Sequence, residues 1–422
     1  MHLDVNKTLI AIDPASGQDV PTALEGALGK CCWGKLVPHS ECQIRASVGG
    51  VGSVVMPDGQ PAPRADCMGF AFLDESECAV AIDHGLGDTE GVRSLVEFLE
   101  EEMLPYATLV TAARDGFDPA EVRAANERVK ELRREIMHLV FAPGGGGERF
   151  QPHLAAMHDA LAVPEGLAPA FAASGLAHEP TGTVRFLVPA YFALLRWLSE
   201  ERPGSTVVFR TFGTDLPEVI REHNAYCEGK HPLYPDAPRL DGSDGGQDFR
   251  VRCPQGTGAM LRFADGRDGT AMATVHVDDG GDAGPARIVV GTGAIHEVLE
   301  SRRRSGMRAM GLRDHYGWWK SHDETGEAGK VLLVREDAAS LRDELAVFFD
   351  DNIGNERAKI VDARNFVTGE ALPFSTSRGL FLRKAAMPLV LEDELCFVRG
   401  VQDAEARADA IVRAAAAPAD RS

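Results

Sequence analysis

Asp4, Thr211 and the pair Asp350-Asp351 are placed to do chemistry, because each follows a short apolar or β-like run. Asp4 comes after Met1-His2-Leu3, Thr211 after Thr206 to Arg210, and Asp350-Asp351 after Leu345 to Phe349. In an open parallel sheet, ligands bind outside the carboxyl ends of the strands where the strand order reverses, so polar residues at those ends are site candidates by geometry. A single Asp at a strand end is more often a turn or helix cap than a nucleophile. The joint pattern is stronger: Asp4-x-Asn6-x-Thr8 opens the chain, Thr211 ends a later run, and Lys330 stands about twenty residues before the acidic pair.

The elements that must position these residues are read from apolar spacing and turn signals. Residues 3–12 read as a strand end and a tight hairpin, with Asp13-Pro14-Ala15-Ser16-Gly17 as the turn. Residues 44–83 hold short β-like runs, Met68 to Leu73 and Cys78 to Ile82, which predict antiparallel hairpins. A helix is expected over 89–103. A second opens at Asp118-Pro119-Ala120-Glu121, where a capping residue, a first-turn proline and a Glu coincide, and runs to about Leu139. Pro143 and the four glycines after it predict a flexible connection. They cradle no phosphate, since no apolar strand leading into a Gly-Lys-Ser/Thr helix start accompanies them.

From about residue 184 the pattern alternates helix and apolar strand, which is α/β grammar. Helices are expected over 186–199, 216–226 and 294–307, with the end of another at 341–344. Core strands are expected at 206–210, 287–290 and 345–349, with a small β insertion near 240–283. The Ala-rich stretch from Arg413 to Ala419 is expected to fray. Only three residues precede Asp4, whereas a buried strand usually reads as a longer apolar run. Either the first strand is short or the chain start lacks a few residues of the natural protein.

Composition narrows the function classes. The 422 residues carry 44 Lys+Arg against 64 Asp+Glu, a net charge of −20, which argues against a general binder of nucleic acid or anionic membrane. A hydrophobic fraction of 44% is ample for a sizeable core and excludes disorder for most of the chain. The longest apolar stretch, Phe186 to Leu195, is too short to cross a bilayer and is flanked by Arg185 and Arg196. The N-terminus has no secretory signal, so a cytoplasmic location is expected. The eight cysteines form no CxxC pair and are expected to be reduced thiols. No feature sets an oligomeric state.

The order of Asp4-x-Asn6-x-Thr8, Thr211, Lys330 and Asp350-Asp351 resembles that of the haloacid dehalogenase-like hydrolase superfamily. The stretches Phe209-Arg210-Thr211-Phe212-Gly213-Thr214-Asp215-Leu216 and Phe349-Asp350-Asp351-Asn352-Ile353 look like a poorly characterised group within it. The resemblance covers the first dozen residues and most of 184–370. It implies a doubly wound, mostly parallel α/β core of Rossmann type built from 1–20 and 184–422. Residues 21–183 would form an α+β insertion acting as a cap, excluding water and selecting the leaving group.

The resemblance also implies roles. Asp4 would attack phosphorus and form an aspartyl-phosphate, which makes the expected activity magnesium-dependent hydrolysis or transfer of a phosphoryl group from a small phosphorylated substrate. The residue two positions on gives the metal a backbone carbonyl and, when it is Asp, exchanges a proton with the leaving group and with water. Here it is Asn6, which cannot exchange a proton at neutral pH. Thr211 would bind a phosphoryl oxygen, and Lys330 would hold Asp4 and the phosphate. Mg2+ would be held by Asp4, Asn6, Asp350 and Asp351, supported by Thr8 and by Asn355, which would orient a metal-bound water.

Competing assignments stand beside these. Lys320 and Lys359 compete with Lys330, and the register leaves open which of Asp350 and Asp351 binds metal directly. Asp215 and Glu218 have a capping-box-like spacing, which makes Asp215 a helix cap. Trp318-Trp319 reads as packing. Two rival functions remain: a binding protein of the same fold, inactive because of Asn6, and an enzyme attacking carbon without metal, which the paired carboxylates disfavour.

Overall fold

The computed structural model describes residues 1–11, 18–38, 68–73, 91–106, 118–177, 181–252, 260–263, 271–278, 283–322, 324–354 and 359–416. The chain divides into two compact units, one of Met1–Gly17, Ala160–Ala385 and Leu389–Ser422, the other of Gln18–Asp159 with Ala386–Pro388.

The first unit is α/β. Its main strands are β1 (His2–Asp4), β2 (Val207–Thr211), β3 (Ala309–Arg313), β4 (Lys330–Val334), β5 (Phe348–Asp350), β6 (Val361–Asn365) and β7 (Leu382–Lys384). Five of them form a wholly parallel sheet in the order β7-β5-β1-β2-β3, while β4 and β6 pair in parallel beside each other. All five residues of β2 are buried, as expected of a strand covered on both faces. The chain runs outward from β1 through β2 to β3, then returns to the other side of β1 for β5 and β7. Strand order therefore reverses between β1 and β5, and a crevice opens outside their carboxyl ends.

Register fixes what meets there. Leu3 pairs with Phe349 and Asp4 with Arg210, so Asp350 stands level with Asp4 and Thr211 one residue beyond it. The chain does not continue from Asp4 into a hairpin strand. The Val5 carbonyl accepts from the Leu9 and Ile10 amides at 2.9 and 3.0 Å, closing a tight turn in which Lys7 takes φ 61°. The expected turn at 13–17 lies outside the described residues.

The third core strand is Ala309–Arg313, not Arg287 to Val290. The latter ends a strand, Ala283–Val290, of a three-stranded antiparallel sheet with Met260–Phe263 and Ala271–Asp278. Ala309–Arg313 instead pairs in parallel with β2, and its Ala309, Met310 and Leu312 are buried. Around the main sheet, helix Pro189–Glu201 buries Ala190, Tyr191, Leu194, Leu195 and Leu198, one apolar stripe of helical period. Helix Cys396–Ala416 buries Phe397, Val401, Ala404 and Ala408 in the same way. The helix itself runs on through Arg413 to Ala416, where fraying was expected; residues 417–419 lie outside the described residues.

Beneath the sheet a fully satisfied polar network holds helix Leu216–Cys227. The His223 ring meets the Tyr191 hydroxyl at 2.6 Å through Nδ1 and the Phe249 carbonyl at 2.7 Å through Nε2. Nε2–H therefore donates to the carbonyl and neutral Nδ1 accepts from Tyr191. Burial lowers the imidazole from 6.5 to about 4. The unfolded chain thus binds a proton that the folded chain refuses between those values, so stability falls as pH drops through that window. The expected loss is about 3 kcal/mol. Urea unfolding across pH 4 to 7 checks it: His223→Gln, which keeps one donor and one acceptor, should remove that part of the slope, and an unchanged slope would refute the assignment.

The second unit has its own core. An antiparallel sheet of Met68–Phe72, Trp33–Pro38 and Val92–Ser94 accompanies helices Val20–Gly29 and Pro119–Phe141. Phe72 and Phe150 meet edge to face at 4.9 Å, as do Phe141 and Phe150 at 6.2 Å. Asp118 accepts from the Ala120 amide at 2.8 Å, and helix Pro119–Phe141 follows as expected. In place of a helix over 89–103 there is the strand Val92–Ser94, then a short helix opened by a Ser94–Glu97 capping box and a π-helical turn Phe98–Met103. Pairing with Trp33–Lys35 draws the first part into the sheet. The Cys78 to Ile82 run lies outside the described residues.

Pro143–Gly147 is not a flexible connection. The Gly145 amide donates to Ala142 and the Gly147 amide to the Val140 carbonyl, at 2.8 and 2.9 Å. A Cβ on Gly145 would lie 2.3 Å from two backbone carbonyls, those of Leu139 and Val140. Close approach of backbone to backbone, not freedom of motion, requires glycine there. Cys31, Cys32, Cys227 and Cys396 are buried and in no disulfide; the other four cysteines lie outside the described residues.

Candidate active site

The crevice between β1 and β5 gathers most of the residues singled out by sequence. Lys330, the first residue of β4, forms ion pairs with Asp4 Oδ1 and with Asp350 Oδ2, the latter at 2.8 Å. Thr8 donates to Asp4 Oδ2 at 3.3 Å and accepts from the Asp351 amide at 3.2 Å, joining the β1 turn to the end of β5. Asp350 Oδ1 accepts from the Asn352 amide at 2.8 Å, and the Asn352 side chain donates to Asp351 at 2.9 Å. Carboxylate oxygens of Asp4, Asp350 and Asp351 lie within 4.8 Å of one another, and all three residues are buried.

Asn6 and Thr211 stand on the adjoining side. The Asn6 amide nitrogen donates to Asp215 Oδ2 at 3.2 Å and contacts Thr211 Oγ1 at 3.5 Å. Thr211 Oγ1 also accepts from the Gly213 amide at 2.8 Å. Asn6 Oδ1 is buried with no partner among the described residues. Asn355 lies outside the described residues. Of the competing lysines, Lys320 is exposed and donates to the Tyr316 hydroxyl at 3.1 Å, while Lys359 Nζ stands 5.8 Å over the Phe374 ring. Trp319 stacks on Phe212 at 4.8 Å, a packing role, and Phe212 in turn faces Lys330 Nζ at 5.4 Å.

The electrostatics follow from burial. Asp4, Asp350 and Asp351 are buried close together, and one ammonium, that of Lys330, pairs with Asp4 and Asp350. Burial raises the Asp4 carboxyl well above its ordinary value; Lys330 opposes this, and Asp350 and Asp351 add to it. Burial likewise raises Asp350, again against Lys330. Burial would lower the Lys330 ammonium, but Asp350 and Asp4 together outweigh it and hold the lysine charged. Hard carboxylate ligands are what Mg2+ requires, and a divalent cation would add positive charge to the three buried carboxylates. The residues present fit such an ion.

Three residues that sequence reading did not assign complete the site. Arg210, fully buried in β2, pairs with Asp314 at 2.5 and 3.0 Å and donates to the Val331 carbonyl at 3.0 Å, tying β2 to the start of β4. An Arg directly after Val207-Val208-Phe209 was the available signal, since a buried guanidinium demands a partner. Asp215 occupies the first position of its helix but makes no capping bond, because its backbone is already helical there (φ −80°, ψ −7°). The expected capping box therefore does not form.

Gly213 marks the point where this side of the site closes. A Cβ there would lie 2.3 Å from Asp215 Oδ2, 3.1 Å from Asn6 Nδ2 and 3.2 Å from Thr211 Oγ1. Gly213→Ala should therefore push Asp215 off Asn6 and cost about 1–3 kcal/mol. Urea unfolding checks this, and wild-type stability in the variant would contradict the packing described.

The fold is that of an α/β protein with a parallel central sheet and an acidic cluster at its topological switch point. No protein-family model, curated protein or solved structure matches the chain. Among the described residues no helix is long and apolar enough to cross a membrane.

Proposed function

We propose that this protein is a magnesium-dependent hydrolase of the haloacid dehalogenase-like kind, moving a phosphoryl group from a small phosphorylated substrate through an aspartyl-phosphate on Asp4. One observation carries the reading: Asp4 and Asp350 converge, buried, on Lys330 with Asp351 beside them, where the strand order reverses. Asp4 is the nucleophile, because it ends β1 at the crevice and stays within reach of both Lys330 and Thr8. Lys330 keeps its attacking oxygen anionic and offsets charge on the phosphoryl group. Thr211 uses its oxygen to accept from Gly213 and Asn6, which leaves its proton for a phosphoryl oxygen. Carboxylates of Asp4, Asp350 and Asp351 and the Asn6 carbonyl would hold Mg2+. When bound, the ion supplies charge neutralisation between nucleophile and phosphate.

Magnesium with beryllium fluoride tests the reading. The pair should form a stable acyl-phosphate mimic on Asp4, visible as a bound fluorine resonance, and should stabilise the protein by about 3 kcal/mol at a hundred times the dissociation constant. No adduct in the presence of both would sink it. One observation favours a second reading, a phosphate-binding protein without turnover: Asn6 occupies the proton-exchange position and is locked by Asp215. That reading predicts the adduct but no hydrolysis.

A further inference from the structure

The Asn6 side chain cannot carry a proton, yet the site is built around it with unusual care for a carboxylate. Asp215 is 4% exposed, gives up the capping bond its helix position offers, and points Oδ2 at the Asn6 amide 3.2 Å away. Gly213 leaves clear the spot where Asp215 Oδ2, Asn6 Nδ2 and Thr211 Oγ1 come together. Asn6 Oδ1, with its amide nitrogen committed to Asp215, is left as a buried acceptor. A group that donates O–H, such as water or an alcohol, is what that acceptor can take.

We propose that Asp215 performs the proton transfers that Asn6 cannot, with the Asn6 amide oxygen holding the oxygen that gains or loses the proton. This rests on Asp4 being the nucleophile. In the first step an Asp4 oxygen bonds to phosphorus, the bond from phosphorus to the leaving oxygen breaks, and that oxygen takes a proton from the Asp215 carboxyl. In the second step water attacks phosphorus and gives its proton to the Asp215 carboxylate. The bond from phosphorus to Asp4 then breaks, releasing phosphate and restoring both carboxyl groups. Reach directly or through one water is sufficient for such a transfer.

The test uses the full chain with Mg2+ and radiolabelled acetyl phosphate, whose acetate leaves without needing a proton. Asp215→Asn should still become labelled on Asp4 but should release phosphate about 10²- to 10⁴-fold more slowly than wild type. The label itself reports that the variant is folded. Adding Asn6→Asp to Asp215→Asn puts a carboxylate in the neighbouring position and should restore release. Several outcomes would overturn the proposal. Release by Asp215→Asn at the wild-type rate, with label present, removes Asp215 alone. Loss of both label and release, not restored by Asn6→Asp, makes Asp215 purely structural. Absence of label from the wild-type protein removes the nucleophile assignment and this inference with it.

Discussion

Replacing Lys330 by methionine should destabilise the metal-free protein by about 3–5 kcal/mol at neutral pH, the cost of breaking a buried ion pair from one side. Nζ is the only protein cation among the described residues paired with both Asp4 and Asp350, and both carboxylates are buried. The variant leaves Asp4, Asp350 and Asp351 facing one another with nothing between them. Two dependent effects make the prediction sharp. Mg2+ should stabilise Lys330→Met more than wild type, because the variant loses the ammonium that offsets Asp4 and Asp350. Acid should also narrow the gap. Asp4 and Asp350 are already held above the ordinary carboxylate value by burial, so the folded state binds more protons than the unfolded one just above that value, and stability falls as pH rises through the window. Losing the lysine extends that window upward. Urea unfolding with and without Mg2+ across pH 4 to 8 checks all three, and a variant with wild-type stability and wild-type Mg2+ response would refute the charge balance.

Asp4→Asn should act in opposite directions on activity and stability. Turnover of acetyl phosphate and the acid-stable label should fall on the order of 10⁵-fold or more, the scale of losing a nucleophile. The metal-free fold should become more stable by about 1–2 kcal/mol, because a desolvated carboxylate becomes a neutral amide of the same shape while Lys330 keeps Asp350. The Thr8 hydroxyl can still donate to the Asn carbonyl oxygen, so the turn that follows β1 stays closed. Calorimetry and single-turnover labelling on the same preparation read both quantities. A variant that is inactive and also less stable would mean that Asp4 is chiefly a structural partner of Lys330.

The two predictions depend on different kinds of information. Asp4, Thr211, Lys330 and the acidic pair were legible because each ends or begins an apolar run, and runs are local. The helix at Pro119–Phe141 was legible for the same reason, its start written in four consecutive residues. The third core strand was not. Val289 and Val290 read as β as clearly as Ala309 to Leu312 do, and only the sheet each joins separates them. The glycines at 144–147 misled because glycine permits both freedom and close approach, and the difference lies in carbonyls that belong to the preceding helix.

Asp215 shows the same division at a single residue. Its spacing to Glu218 satisfies the local rule for a cap, yet its backbone is already helical and its side chain accepts from the residue 6 amide at 3.2 Å instead. The sequence by itself determined which side chains could do chemistry, the α/β alternation after residue 184 and the absence of a general polyanion-binding charge, all of them sums over near neighbours. Tertiary structure decided that β1 lies between β2 and β5, that the Lys330 ammonium reaches Asp4, and that Asn6 has a carboxylate beside it. Those are contacts across 200 residues or more, set by sheet order and burial, and no spacing along the chain encodes them.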